Sequence, residues 1–400
     1  MRLAIYSDFS YRRHEGRVYA EQAFVIFLLG LEELVERLVF VGRLDPHALP
    51  WHFPLPFSVE YEPLAHYPRL DDPLRVLAAL GGSMRSFWQV LDGVDTVWLF
   101  GPNPVAIVFA VLAKLRRRRV VLGVRQEYRS YVSNRHPNRP LLRVGALLLE
   151  AAFRLLGHSC QVIVVGPRLA EQYAGAKHLL AIGVTLVGES DLIADADSAA
   201  SSGEKLAVLS VGRLDNEKNP LLLADVLVCL GGGDGGGGER DDREGDSDKA
   251  GWHLTICGEG PLAEPLRERL HARGVENRAD LRGFVPAGPA LYEIYRHSDF
   301  LLHTSLTEGV PQVLFEAFAA GLPVVATDVG AVAETVQDAA LLVPPSDPEA
   351  CADALRRLAD DLGLRRRLIE AGLRIVRDHT REAQCRRVVE FIDPDRRVAH

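Results

Sequence analysis

Short apolar runs alternate with longer amphipathic stretches along most of the chain. The stretches that carry apolar residues at helical spacing in the first half lie at about 17–36, 73–91, 104–117 and 139–157. The short β-rich runs between them are Leu3–Tyr6, Leu38–Val41, Thr96–Phe100, Val120–Val124 and Val162–Val165. Strands that alternate with helices in this way are typical of an α/β fold with a parallel sheet.

A second series of strands follows a break at 186–203, which is rich in small and acidic residues and indicates a linker. The predicted strands beyond it are Leu206–Val211, His253–Cys257, Asp280–Leu281, Phe300–His303, Val324–Ala326 and Ala340–Val343. We therefore predict two doubly wound Rossmann-like domains, at 1–185 and 204–379. The last segment, 380–400, is expected to form a helix that crosses back to the first domain.

The second domain is interrupted by a segment of glycine and charged residues at 231–250. Because residues 231–249 include no apolar side chain that could pack against a core, we predict a disordered insertion. Asp246 and Asp248 form a D-x-D pattern, which can bind Mg²⁺ on a diphosphate. We predict no metal site there, because a disordered loop cannot hold the near-octahedral geometry that Mg²⁺ requires.

Composition narrows the class of protein. The chain is 48% hydrophobic and 25% charged, as in globular proteins, and its net charge of -8 argues against a nucleic-acid partner. The five cysteines are far apart, which favours a reducing compartment and excludes a zinc site of paired cysteines. The sequence shows neither a signal peptide nor an apolar stretch long enough to span a membrane. We therefore expect a cytoplasmic protein.

The most informative segment is HTSLTEGVPQVLFEAFAAGLPVVATDVG, residues 303–330. A strand ends in it, and a helix is predicted to start at Pro311. The loop before that helix contains Glu308, Gly309 and Val310, and a helix N-terminus offers amide groups and a favourable dipole to a phosphate. Glu308 and Glu316 are carboxylates that could accept hydrogen bonds from sugar or ribose hydroxyls. Taken singly, Glu308 is more simply an exposed loop charge and Glu316 a solvated helix residue, but the helix start between them favours the ligand-binding interpretation.

A second loop, SVGRLDNEKNP at 210–220, contains Gly212 and offers two cations, Arg213 and Lys218, after a predicted strand. A guanidinium and an ammonium at the carboxyl end of a strand suit a diphosphate. The alternative is that both are ordinary surface charges, with Glu217 as the partner of Lys218. The glycine-rich turn that contains Gly258 is a weaker signal of the same kind.

Together these segments resemble glycosyltransferase family 4, a group of retaining enzymes with the two-lobed GT-B fold. The resemblance covers residues 204–392, and its most specific part is Glu308 and Glu316 with seven residues between them. It implies that Glu316 binds the ribose of the donor nucleotide and that Glu308 contacts the transferred sugar. It also implies that Arg213 and Lys218 hold the diphosphate and stabilise the leaving group. The neighbouring groups implied to line the donor site are Gly212, Gly258, Phe284, Val285, Gly309, Val310 and Pro311.

The first domain departs from the family in two places. The family has a Gly-Gly pair after the first strand, whereas this chain has Glu15 and Gly16 there. We expect Gly16 to lie on a loop near the donor phosphate and the acceptor, and Arg12, Arg13 and Arg17 make that loop basic. The family also has a histidine after a central strand, whereas 120–132 contains Arg125 and no histidine.

The resemblance implies a hexosyltransferase that uses a nucleotide sugar, such as a UDP- or GDP-sugar, as substrate and needs no cofactor or metal. The acceptor would be a glycan, a lipid-linked sugar or a small molecule. Two alternatives stay open: a catalytically silent nucleotide-sugar binding protein, and another GT-B enzyme such as a nucleotide-sugar epimerase. The basic run 114–119 and the Leu-rich stretch 140–158 suit docking at the inner face of a membrane, although core-facing helices with a solvated basic end are the simpler explanation.

Overall fold

The structure, a computed structural model, describes residues 1–47, 51–67, 73–126, 128, 132, 140–196, 205–231 and 251–394. The chain divides into two compact units. Unit 1 comprises Met1–Val184 and Arg381–His400, and unit 2 comprises Thr185–Thr380. Apart from Gly231, which ends a helix, the predicted insertion at 231–250 lies outside the described residues, and so do Asp246 and Asp248.

Unit 1 is built on a sheet of nine strands, with helices between them. The strands are β1 (Arg2–His14), β2 (Arg17–Ala20), β3 (Arg37–Asp45), β4 (Phe53–Pro54), β5 (Glu60–Leu64), β6 (Thr96–Gly101), β7 (Arg119–Val124), β8 (Gln161–Val165) and β9 (His178–Ile182). The helices are α1 (Phe24–Leu29), α2 (Pro73–Val90), α3 (Pro104–Leu115), α4 (Pro140–Gly157) and α5 (Pro167–Gln172), with a 3₁₀ turn at Glu32–Leu34.

The main part of the unit 1 sheet is parallel. Its strand order is β5-β3-β1-β6-β7-β8-β9, so the chain builds outward first on one side of β1 and then on the other. This reversal between β1 and β6 is the topology of a doubly wound sheet. Strands β2 and β4 add antiparallel pairs beside the far end of β1.

Unit 2 contains a six-stranded sheet. Its strands are β10 (Lys205–Val211), β11 (Gly251–Cys257), β12 (Ala279–Gly283), β13 (Phe300–His303), β14 (Val324–Thr327) and β15 (Ala340–Val343). Its helices are α6 (Leu222–Gly231), α7 (Ala263–Ala272), α8 (Pro289–Arg296), α9 (Gln312–Ala319), α10 (Val332–Val336), α11 (Pro348–Asp360) and α12 (Leu362–Arg377), with 3₁₀ turns at Glu189–Asp191 and Glu276–Arg278.

The unit 2 sheet is entirely parallel, in the order β12-β11-β10-β13-β14-β15. Helices pack on both of its faces: Val208 and Leu209, which point to opposite faces of β10, enter two different core clusters. The strand order reverses between β10 and β13. In open α/β sheets, ligands bind outside the carboxyl ends of the strands at such a reversal. The loops after β10 and β13 are therefore the expected location of a site in unit 2.

The last helix, α13 (Arg381–Ile392), belongs to unit 1, as the sequence predicted. The Arg119 guanidinium donates to the carbonyl of Ile392 at 2.6 Å, and the Gln161 amide donates to the carbonyl of Phe391 at 2.6 Å. The thiol of Cys385 contacts the carbonyl of Phe27. These bonds tie α13 to α1 and to the start of strands β7 and β8.

The sequence-based expectation for the segment around Gly16 is wrong in its secondary structure. We expected a loop after Leu3–Tyr6 and a helix over 17–36, whereas β1 continues to His14 and returns as β2. Residues Glu15 and Gly16 form the tight turn of this hairpin, with φ of 49° and 78°. Polar residues along the extension resemble a loop in sequence, but one face of it packs inward, where Tyr11 is fully buried.

No helix among the described residues is both long and apolar enough to cross a membrane.

Helix α9 lies against α12 in the core of unit 2, and a glycine sets how closely the two approach. A Cβ placed on Gly372 of α12 would lie 2.6 Å from Cδ1 of Phe318 on α9, which is closer than side chains tolerate. Residues 314–319 of α9 are all buried. The position of α9, and of any functional group on it, therefore depends on this close contact.

We expect Gly372→Ala to lower the free energy of unfolding by up to about 2 kcal/mol. Alanine improves helix propensity by about 1 kcal/mol, but forcing a methyl group into a packed core costs about 1–3 kcal/mol. Gly145→Ala in α4 is the matched control, since no atom lies within 4 Å of its added Cβ. That variant should be as stable as the wild type or more so. Equal effects of the two substitutions in urea unfolding would contradict the packing argument.

Candidate active site

Two loops meet at the strand reversal of unit 2, one after β10 and one after β13. The Leu306 amide donates to the carbonyl of Glu217 at 2.7 Å, and the Thr304 hydroxyl donates to the carbonyl of Lys218 at 3.0 Å. The loops are thus held together by their backbones, independently of their charged side chains. This brings Arg213 and Lys218 of one loop close to Glu308 of the other.

Glu308 is fixed through a single carboxylate oxygen. Its Oε1 accepts hydrogen bonds from the Lys218 ammonium and, at 2.6 Å, from the Ser305 hydroxyl. His303 Nε2 lies 2.9 Å from the same oxygen, as an ion-pair contact rather than an aligned hydrogen bond. Its second oxygen, Oε2, has no hydrogen-bond partner among the described residues. The side chain is 8% exposed, so Glu308 is not the exposed loop charge of the alternative interpretation.

The charge state of Glu308 follows from these contacts. Burial favours the neutral acid, but His303, Lys218 and Ser305 together outweigh it and lower the pKa of Glu308 to about 2. Glu308 is therefore a carboxylate at neutral pH. In that form it accepts hydrogen bonds and cannot donate a proton.

Glu316 is buried in α9, not exposed on a solvated helix face. Its Oε2 accepts a hydrogen bond of 2.7 Å from the hydroxyl of Tyr295 in α8. Burial raises the pKa of Glu316 above its ordinary value, against the Tyr295 hydrogen bond, and the negative charge of Asp191 adds to the increase. Its Oε1 has no hydrogen-bond partner among the residues that the structure describes, so one oxygen stays available to a ligand hydroxyl.

Helix α9 begins one residue later than predicted. Pro311 is the N-cap, with extended backbone angles, and Gln312 is the first helical residue. The Glu308–Val310 segment still precedes the helix directly. The N-terminal amides of α9 therefore lie next to the Glu308 loop, where their orphan donors and the helix dipole favour an anion.

The two cations of the β10 loop have different partners. Lys218 pairs with Glu308, and not with Glu217 as the surface-charge interpretation supposed. Arg213 is 67% exposed and pairs with both Asp215, at 2.8 Å, and Glu217, at 3.1 Å. Because surface ion pairs are weak, Arg213 can exchange these partners for a ligand anion at little cost.

Backbone hydrogen bonds at Gly212 and Gly258 hold the loops after β10, β11 and β12 directly against each other. The Gly212 amide donates to the carbonyl of Cys257 at 3.0 Å, and the Gly258 amide donates to that of Gly283 at 2.8 Å. A Cβ on Gly258, where φ is 155°, would lie 1.8 Å from the Gly212 carbonyl oxygen. Glycine at 258 is therefore required by close backbone approach, whatever its role toward a ligand.

The predicted apolar contacts differ in exposure. Phe284 is exposed, and its amide donates to Oε1 of Glu259 at 3.2 Å. Val285 instead packs against the core cluster that contains α9. Phe284 is thus the one of the two that presents a flat apolar face to solvent.

The candidate residues of the first domain are on unit 1 and are largely engaged there. Gly16 is at the hairpin turn, and Arg12 pairs with Asp45 at 2.8 Å. The Arg17 guanidinium donates to the carbonyl of Leu55 at 3.2 Å. Arg125, which follows β7, stacks 3.7 Å from the ring centre of Phe24, and burial lowers its pKa to about 10.

Sequence reasoning assigned no role to His303, Ser305 or Tyr295. His303 and Ser305 lie within the motif segment, so their spacing to Glu308 was visible, but only the fold shows that they converge on one oxygen. Tyr295 is 21 residues from Glu316 on another helix. Within the described residues, no group of three or more His, Cys, Asp or Glu side chains could hold a metal ion.

Comparison with known proteins finds similarity over the segment that contains these loops. Residues 193–374 match the family described as "Glycosyl transferases group 1". An exopolysaccharide phosphotransferase of Streptomyces coelicolor is 40% identical over 30% of this chain and 13% of its own length. A D-inositol 3-phosphate glycosyltransferase of Corynebacterium glutamicum is 35% identical over 38% of this chain and 35% of its own length. The chain thus spans only about a third or less of these curated relatives.

The fold is shared over a longer range. The structure of Anabaena HepE in complex with UDP superposes with a TM-score of 0.66 at 14% identity, covering 98% of this chain and 100% of that one. This similarity confirms the GT-B fold class predicted from the sequence. The matched segment contains both carboxylates and both cations described above. Residues 193–374 are thus similar to the glycosyl transferases group 1 family, which agrees with the resemblance noted in the sequence.

Proposed function

We propose that this protein is a retaining hexosyltransferase that moves a sugar from a nucleoside-diphosphate sugar to an acceptor hydroxyl without a metal ion. The observation that carries the proposal is the fixed, ionised Glu308 beside Lys218 and the start of α9. An anion-binding helix end next to a hydroxyl-accepting carboxylate suits a ligand that carries both a diphosphate and a sugar.

The diphosphate of the donor would bind to Lys218, Arg213 and the N-terminal amides of α9. When the bond to the sugar breaks, negative charge develops on the diphosphate, so donors placed there stabilise the transition state more than the ground state. Lys218 would then divide its hydrogen bonds between Glu308 and a phosphate oxygen. Losing one such donor would slow transfer by about a hundredfold.

Glu308 would orient the transferred sugar. Since its Oε1 is occupied by Lys218 and Ser305, a sugar hydroxyl would donate to Oε2. Glu316 would bind the ribose in the same way, through the Oε1 that Tyr295 leaves unoccupied. Phe284 and Val285 would lie near the base, and the backbone of Gly212, Gly258, Gly309, Val310 and Pro311 would line the phosphates.

The relatives support a nucleotide donor. HepE has been crystallised with UDP and with UDP-glucose, and the Corynebacterium relative is a glycosyltransferase. A UDP- or GDP-sugar is therefore the donor class that we propose. The acceptor would be a glycan, a lipid-linked sugar or a small molecule. Peripheral membrane contact is part of the proposal, because α4 exposes Val144, Leu147, Leu148 and Leu155.

A test of the donor site compares melting temperatures with UDP, GDP, ADP and dTDP. A nucleotide at about 100 times its Kd should stabilise unit 2 by about 2.7 kcal/mol, and we expect one of the four to do so. The shift should disappear in Glu316→Ala and persist in Tyr295→Phe, which removes the neighbouring hydroxyl but keeps the carboxylate. If no nucleotide shifts the wild type, or if Glu316→Ala keeps the shift, the donor site is wrongly placed.

The low pKa of Glu308 has a consequence for stability against acid. Because its pKa falls from 4.5 to about 2 on folding, the ionised form stabilises the native state above about pH 4.5, and this contribution is lost as the pH falls toward 2. The difference in unfolding free energy between the wild type and Glu308→Gln should therefore shrink by on the order of 2–3 kcal/mol over that range. This difference in unfolding free energy is measured by urea unfolding of both proteins, in steps of about one pH unit downward from about pH 6. A difference that does not change with pH would refute the assigned ion pairs.

A further inference from the structure

Unit 1 contains a groove that the proposed reaction does not use. Its volume is about 960 Å³, and it lies at the amino-terminal edge of the sheet, where Arg119, Gln161 and His178 begin β7, β8 and β9. Active sites of open α/β sheets lie at the opposite, carboxyl-terminal edge. The groove is therefore separate from the edge of unit 1 where an acceptor would bind.

The groove is lined by more positive than negative charge. Four cations face it, Lys114, Arg118, Arg119 and Lys177, together with one carboxylate, Glu390. A second carboxylate, Asp393, pairs with Arg119 at 3.4 Å. Four cations against two carboxylates leave a surplus of positive charge in a concave surface, which concentrates anions.

Two of the cations lack a compensating group. Neither Arg118 nor Lys177 has an ion pair or side-chain hydrogen bond within the described part of the chain, and Nε of Arg118 is buried without a partner. A buried, unsatisfied guanidinium nitrogen costs free energy that a bound acceptor would recover. A phosphate oxygen is a suitable acceptor, because charge-assisted hydrogen bonds to phosphate are strong.

The rest of the groove is held rigidly. Arg119 and Gln161 are bonded to the carbonyls at the end of α13, and Lys114 donates to the Ser159 hydroxyl at 2.5 Å. This last bond joins the C-terminal ends of α3 and α4. Of the uncompensated cations, Arg118 is anchored by its backbone amide, which donates to the carbonyl of Ala113 at 2.8 Å, and Lys177 directly precedes β9.

We propose that this groove binds a phosphate group at a site distinct from the donor site. A free phosphate compound and a phospholipid headgroup share this chemistry. Leu115 follows Lys114 in the chain and is 68% exposed, and Leu155 lies one helical turn before His158 and is 72% exposed. Lys114 and His158 both line the groove. The two leucines are the feature that would favour a headgroup, since exposed leucines beside cations suit an anionic membrane surface.

The test replaces both uncompensated cations, in Arg118→Gln/Lys177→Gln. The matched control, Arg267→Gln/Arg296→Gln, removes the same charge from exposed helix surfaces of unit 2. A charge-retaining variant, Arg118→Lys/Lys177→Arg, separates charge from folding. The probes are inorganic phosphate, by calorimetry, and phosphatidylcholine vesicles with and without phosphatidylglycerol, by co-sedimentation. Phosphate that binds at the donor site contributes equally to all variants.

We expect the groove variant to lose affinity for one probe by about tenfold or more, while the control and the charge-retaining variant bind nearly as the wild type does. Loss of phosphate binding identifies a free phosphate compound as the ligand. Loss confined to the phosphatidylglycerol vesicles identifies the headgroup. If the groove variant and the control bind both probes equally, the groove is not a phosphate site.

Discussion

The ion pair between Lys218 and Glu308 joins two loops that are 90 residues apart in the sequence. It forms where the strand order of unit 2 reverses, so the sheet itself brings the two loops together. Burying a carboxylate in this position is costly unless its charge is compensated. Lys218, Ser305 and His303 provide that compensation through one oxygen, and the other oxygen stays available. The same contacts that stabilise the loop therefore keep Glu308 ionised and leave its Oε2 without a hydrogen-bond partner among the described residues.

The rest of unit 2 supports this arrangement. Gly258 lets the loops after β10 and β11 touch, and Gly372 lets α12 pack closely on Phe318 of α9. Because α9 is buried on all sides, Glu316 faces a fixed environment in which Tyr295 binds only one of its oxygens. In each of the two carboxylates, one oxygen is held by the protein and the other has no hydrogen-bond partner among the described residues. Under the proposed function, such preorganisation would lower the cost of ordering the site when the donor binds.

The fold class, and the strands whose ends carry the candidate site residues, could be predicted from the sequence, because buried parallel strands are short apolar runs. The strands Phe300–His303 and Ala340–Val343 were predicted with their exact bounds for this reason. The hairpin at Gly16 could not be predicted from the sequence. The extension of β1 is polar, and its register depends on a tertiary contact, the burial of Tyr11. The ion pairs of the two cations could not be predicted from the sequence either. Glu217 is adjacent to Lys218 in the chain, but in the structure Lys218 pairs with Glu308 and Arg213 pairs with Glu217.

The role of Glu308 in sugar transfer is tested most directly by the rate at which nucleoside diphosphate is released from a nucleotide sugar. The nucleotide sugar to use is the one that carries the base found to raise the melting temperature. The test compares the wild type, Glu308→Gln and the control Glu293→Gln, which alters an exposed carboxylate of α8. The account predicts that Glu308→Gln lowers the rate by about a hundredfold while nucleotide affinity changes little, and that Glu293→Gln behaves as the wild type. An unchanged rate in Glu308→Gln would contradict the role of this carboxylate and, with it, the proposed site.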